Sequence, residues 1–265
     1  MRNFLKGEAY YLEKDTSYRA VSIIFLLASI LLPIWIGTKS GFALSNPIEP
    51  LRLAISLSFL LYFIIPLHAC YFATEGFEYG SVKNIIASGR SRLSYFMGKY
   101  ISELKVIGWW MIQFFGLYYA LYMALVLVTG SPIGSVNFQE HITFVVAALF
   151  FNLLYLSAYA AIVMMVGILI KKTASAIVVT FVIIFGDFLL SGYFKDSTSA
   201  LLRTVSEHTL TTQIFKFCGQ YVINSQLVTL SGINEYIRTT LIAVIVIAVC
   251  LVVAMIAFRR SDIHT

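Results

Sequence analysis

Val163-Met164-Met165-Val166-Gly167-Ile168-Leu169-Ile170-Lys171-Lys172-Thr173-Ala174-Ser175-Ala176-Ile177-Val178-Val179-Thr180 decides what kind of molecule this chain is. Two long apolar runs, roughly 141–170 and 173–194, meet at two lysines and a threonine, which is too short for a loop of any size. Each run covers the ~20 residues that an α-helix needs to cross the hydrocarbon layer. The pair therefore predicts a tight helical hairpin whose turn is held at one membrane face by two cations.

Composition extends that reading to the whole chain. Of 265 residues, 59% are hydrophobic and 12% charged, more apolar surface than one soluble core of this size can hide. Four further runs, at roughly 20–37, 52–73, 105–128 and 238–258, bring the predicted spans to six. Pro33 and Pro66 fall inside spans one and two and predict bends there. A net charge of +6 would suggest nucleic acid in a soluble domain. Here the basic residues stand beside apolar runs, where they set orientation and meet anionic lipid, and no nucleic-acid partner is expected.

Lys and Arg separate by side. Arg2, Lys6, Lys14 and Arg19 precede span one; Lys83, Arg90, Arg92, Lys99 and Lys105 lie between spans two and three; Lys171 and Lys172 form the hairpin turn; Arg259 and Arg260 follow span six. The opposite side has Lys39 and Arg52 in its first loop and none in the loop 129–143. Both termini are expected in the cytoplasm, in a multi-pass plasma-membrane protein. Residues 1–19 mix these cations with Phe4, Leu5, Tyr10, Tyr11 and Leu12 and predict a helix lying at the interface. The outward segment 195–237 is too apolar for a solvated coil, with Leu201, Leu202, Val205, Leu210, Ile214, Phe215 and Phe217 followed by Tyr221, Val222, Ile223 and Leu227. It predicts two short helices dipping back into the bilayer.

Catalytic chemistry is thin. His68, His141, His208 and His264 are not paired at metal-ligand spacing, Cys70, Cys218 and Cys250 form no cluster, and no Gly-rich phosphate loop occurs. No catalytic residue, metal or cofactor is expected in this chain. Asp187 and Asn152 stand out as polar residues inside spans, where such groups face a bundle interior, a wet cavity or a partner. Gln113 and Asn152 suit interhelical hydrogen bonds better than substrate contacts. Aromatic residues crowd spans three and four, among them Tyr118 and Tyr155. They suit packing or lipid contact first, and a hydrophobic lining for an amphipathic substrate second.

Between spans two and three lies a basic island, Phe77-Glu78-Tyr79-Gly80-Ser81-Val82-Lys83-Asn84-Ile85-Ile86-Ala87-Ser88-Gly89-Arg90-Ser91-Arg92-Leu93-Ser94-Tyr95-Phe96-Met97-Gly98-Lys99-Tyr100. Tyr79, Val82 and Ile86 make one apolar stripe at helical spacing, Gly89 reads as a break, and Leu93, Phe96, Met97, Tyr100 and Leu104 resume a stripe. The pattern predicts helix, sharp turn, helix.

Glu78, Gly80 and Lys83, then Gly89, Arg92 and Lys99, resemble the Glu-x-Gly-x-x-Lys, Gly-x-x-Arg and following Lys of the permease subunits of ABC-2 type ATP-binding cassette transporters. The resemblance implies an all-α integral membrane fold over 1–265. Its parts are six transmembrane helices, an N-terminal interfacial helix, a cytoplasmic coupling region within 74–104 and an extracellular re-entrant hairpin at 195–237. It implies that Glu78, Tyr79, Gly80, Val82, Lys83, Ile86, Gly89, Arg92 and Lys99 couple to a separate ATPase, which binds ATP and Mg. Two ATPase copies and a second permease chain, identical or related, are the implied partners besides membrane lipid. The chain looks most like small Gram-positive permeases exporting membrane-active peptides, with Asp187, Asn152, Tyr118 and Tyr155 as substrate-pathway candidates. Exporters of drugs, sodium or lipid-linked substrates share the architecture. An ion-coupled secondary transporter is the alternative from another class, but only Asp187 stands out as a buried carboxylate and no internal repeat is visible.

Overall fold

A computed structural model describes residues 2–223, 225–230 and 232–260. Six helices in it are long and apolar enough to cross a membrane: α2 (Thr16–Ser40), α4 (Phe59–Glu78), a continuous rod Arg92–Thr129, α8 (Phe138–Ile170), α9 (Thr173–Phe194) and α12 (Ile233–Arg260). Local signals set their ends. Asp15 caps α2 by accepting from Tyr18 N at 3.0 Å, and Ser91 caps the rod by accepting from Ser94 N at 3.1 Å. The α8–α9 hairpin is as tight as its sequence predicts. Lys171 takes the left-handed conformation, φ +59°, and its amide donates to Gly167 O at 2.8 Å, closing α8 as a glycine usually would.

Two spans differ from the expected ranges. The second is broken: α3 (Glu49–Ser56) stops at Leu57–Ser58 before α4 begins. No Gly or Pro marks the break. Its open Ser56 carbonyl accepts from Gln220 Nε2 at 2.6 Å, so a group distant in sequence satisfies it. The third runs from Arg92, not from near 105, as α6 (Arg92–Met111), a π-helical turn (Ile112–Gly116) and α7 (Leu117–Thr129). At 1.5 Å per residue, 38 residues span ~57 Å, well beyond a ~30 Å hydrocarbon core. The rod is therefore longer than the core is thick.

Helix α8 is the hub, packed against α3, α4, α6, α9, α11 and α12. Small residues let its neighbours close in. A Cβ placed on Gly167 would stand 2.9 Å from Thr74 Cγ2 and 3.3 Å from Ala73 Cβ, so α4 and α8 meet there almost backbone to backbone. Most of the aromatic stripe is core: Phe114, Phe115, Tyr118, Tyr122, Phe151, Tyr155 and Tyr159 are buried, while Phe150 stays exposed. Gln113 Nε2 donates to Ser22 O at 2.8 Å, joining the π turn to α2 as an interhelical bond.

Contacts sort the loops onto two faces. On one, α1 (Arg2–Lys14) lies on the foot of α6, its Phe4 ring against Gly98 and Tyr95. The end of α12 joins them there, because Arg92 donates to Phe258 O at 2.8 Å and Arg259 O at 2.9 Å. On the other face, loops one and three are laced: Leu44 N donates to Pro132 O, Gly134 N to Leu44 O, and Asn46 Nδ2 to Val136 O. The segment before α12 contains α10 (Ala200–His208) and α11 (Leu210–Phe217), the two short helices expected. It then forms a two-stranded antiparallel ribbon, β1 (Val222–Ile223) and β2 (Gln226–Leu227), turning at Ser225 with φ +62°.

Candidate functional site

The island between spans two and three folds as helix, turn and helix. Gly80, φ +73°, opens the short α5 (Ser81–Ala87) and Gly89, φ +91°, closes it. Both need a left-handed backbone that favours glycine, and open space surrounds both. Glu78, Tyr79 and Lys83 are exposed, Tyr79 to 75%, and Ile86 is half-buried. The apolar stripe is therefore divided. Val82, 1% exposed, faces inward against the Gly76 turn of α4 and belongs to this chain's own core. Arg92 is occupied with the carbonyl end of α12, a cation where the helix dipole favours one.

Lys99 is also turned inward. It is 6% exposed, its Nζ lies 3.0 Å from Glu8 Oε2 and 3.2 Å from Glu75 Oε1, and it stands 3.8 Å from the centroid of the Phe72 ring. Tyr11 Oη donates to Glu75 Oε2 at 2.9 Å; partial burial and the Glu75 charge push its phenol up, keeping the proton there. One lysine thus ties α1, α4 and α6 together. Beyond Phe72, whose ring stacks on His68 at 6.0 Å, a second pair is sealed: His68 Nδ1 lies 3.2 Å from Glu103 Oε1. Both side chains are 0% exposed.

The four substrate-pathway candidates are not brought to one cavity. Asp187 Oδ2 accepts from Tyr159 Oη at 2.9 Å, Thr211 N at 2.8 Å and Thr211 Oγ1 at 2.6 Å, which fastens the start of α11 to α9 and α8. Asn152 accepts from Tyr62 Oη at 3.1 Å and donates to Ala148 O, an interhelical role. Tyr155 Oη donates to Thr239 O at 2.9 Å, and its ring meets Phe217 edge to face. Tyr118 lies apart, near Phe114 and Tyr122, with its hydroxyl buried and unpartnered among the described residues. Beside Asn152, Cys218 Sγ lies 3.1 Å from Ser58 Oγ, and burial pushes its thiol up to about 12, so it remains a neutral thiol.

Sequence reading missed Glu75, Glu103 and Glu8 as buried charges. Glu75 and Glu103 stood just outside the assumed limits of spans two and three, where carboxylates are ordinary. A usable signal was present. His68, Glu75, Lys99 and Glu103 fall at one helical end of two adjacent spans, with opposite charges able to pair across them. No family model matches this chain, and no curated protein matches it either.

Proposed function

We propose that this chain is the permease subunit of an ABC-2 type exporter, moving a hydrophobic or amphipathic substrate, a membrane-active peptide by the closest resemblance. A separate ATPase supplies the energy. The observation that carries the proposal is the exposed segment 78–91 around α5, set between α4 and α6 on the face where α1 and the end of α12 also gather. Glu78, Tyr79 and Lys83 offer a carboxylate, an aromatic knob and a cation to a partner. Val82, Arg92 and Lys99 support that surface from within, since each is engaged inside the chain. A pair of such chains, identical or related, would present two docking surfaces to two ATPase copies.

The test is co-purification with an ABC ATPase encoded beside this chain. Tyr79→Asp and Lys83→Glu should each remove most of the captured ATPase while the permease stays folded at normal level, because neither side chain is part of the core. Val82→Asp is unsuitable, since a charge there would unfold the region whatever docks on it. Full ATPase recovery with both surface variants would end the proposal.

The buried cluster of Glu8, Glu75, Glu103, Lys99 and His68 favours a second reading, an ion-coupled secondary transporter, by supplying the carboxylate set that this class requires. Transport that persists without any ATPase and collapses with the membrane proton gradient would select it.

A further inference from the structure

We propose that His68 and Glu103 form a proton-binding site within the helix bundle, reached from the α1 face. Three carboxylates, Glu8, Glu75 and Glu103, are buried at this end of the bundle with one lysine, Lys99. Lys99 serves Glu8 and Glu75, which leaves Glu103 to His68. A buried carboxylate beside a neutral ring is an uncompensated charge; one proton taken up from solvent turns the ring into an imidazolium whose Nδ1–H donates to Oε1, and the ion pair is then neutral overall. The far atoms of both groups, His68 Nε2 and Glu103 Oε2, are buried and unpartnered among the described residues, so the pair is not locked into a larger hydrogen-bond network.

The surroundings isolate this proton. From α4 the pair is faced by Phe72 and Glu75, from α6 by Lys99 and Trp110, from α2 by Tyr18 and from the turn before it by Asp15. Glu8 and Tyr11 of α1 stand beyond Lys99. The hub helix α8 adds no charge here, as its Glu140 and His141 lie at its opposite end. On the α1 side a cavity of about 170 Å³ opens between α1, α2 and α6; its wall mixes Glu13, Tyr18, Ser102 and Lys105 with apolar side chains, and neither His68 nor Glu103 lines it. The Tyr18 ring lies 6.4 Å from His68, and Ser102 immediately precedes Glu103. Because the pair joins α4 to α6, the two helices flanking the turn at 79–91, a change in its protonation acts on the spacing of that turn's supports. This holds whether or not an ATPase docks there.

Trp110 is a built-in reporter: it is fully buried, its Nε1 donates to Ser22 Oγ at 2.9 Å, and its ring stands 4.7 Å from His68, nearly perpendicular. An imidazolium quenches a neighbouring indole and a neutral imidazole does not. In a W35F/W109F background, which removes the two exposed tryptophans, emission is followed across the pH range in which the purified protein stays monodisperse. A single step is expected, displaced in E103Q and lost in H68Q. It is lost also in H68Q/E103Q, where two neutral amides keep the hydrogen bond and protect the fold. Flat emission in the parent, or an unchanged step in either variant lacking His68, overturns the proposal.

Discussion

Asp187 concentrates three hydrogen bonds on one oxygen, and both residues that donate them, Tyr159 and Thr211, are buried. Removing the carboxylate strands them. Asp187→Ala should cost about 1–3 kcal/mol for each orphaned donor, whereas Asp187→Asn, which keeps an acceptor, should cost much less. Thermal melting together with protease protection of residues 195–210 checks this, and equal behaviour of the two variants would argue against anchoring. Lys99 is the more demanding position, since one ammonium satisfies Glu8 and Glu75 together. Lys99→Met should destabilise by about 3–5 kcal/mol, and the added changes Glu8→Gln and Glu75→Gln should restore most of the loss, because the penalty lies in the stranded charges. A Lys99→Met protein that melts normally would mean that these contacts contribute little.

At the scale of the helical elements, packing rests on close approach as much as on apolar area. Gly167→Val should pry α8 from α4, because the new side chain would occupy the space of Thr74 Cγ2 and Ala73 Cβ. Overpacking of this kind costs about 1–3 kcal/mol and is expected as lower monodispersity and a lower melting temperature; Gly7→Val, on the open side of α1, should be silent. The same elements show what was legible in advance. Apolar run length revealed six spans and the Lys171–Lys172 turn, because hydrocarbon thickness leaves few ways to place ~20 apolar residues. Gly89 announced the turn because few other residues take positive φ, whereas the positive φ of Gly80 was not read from the sequence. The break at Leu57–Ser58 was hidden, since Gln220 satisfies it from a distant part of the chain. The burial of Glu75, Lys99 and Glu103 was hidden too, because charges at a span's edge look the same whether they face water or pair across helices. The division of the Tyr79–Val82–Ile86 stripe depends on where α5 sits against α4, which periodicity alone does not determine.

For the whole molecule, the central claim is an arrangement: six crossings that bring α1, the turn at 79–91 and the end of α12 to one face, and the laced loops at 42–48 and 131–137 to the other. From the lysine and arginine distribution we propose that the first face is the cytoplasmic one. The three native cysteines are buried, so single cysteines introduced at Lys83 and Ser135, both exposed, can be read against a quiet background. The most direct measurement is labelling of these two sites in intact cells by a membrane-impermeant maleimide, before and after permeabilisation. The account predicts that the cysteine at 135 reacts from outside, and that the one at 83 reacts only once the membrane is opened. Reaction at 83 in intact cells would place the proposed docking surface out of reach of any cytoplasmic ATPase and contradict it.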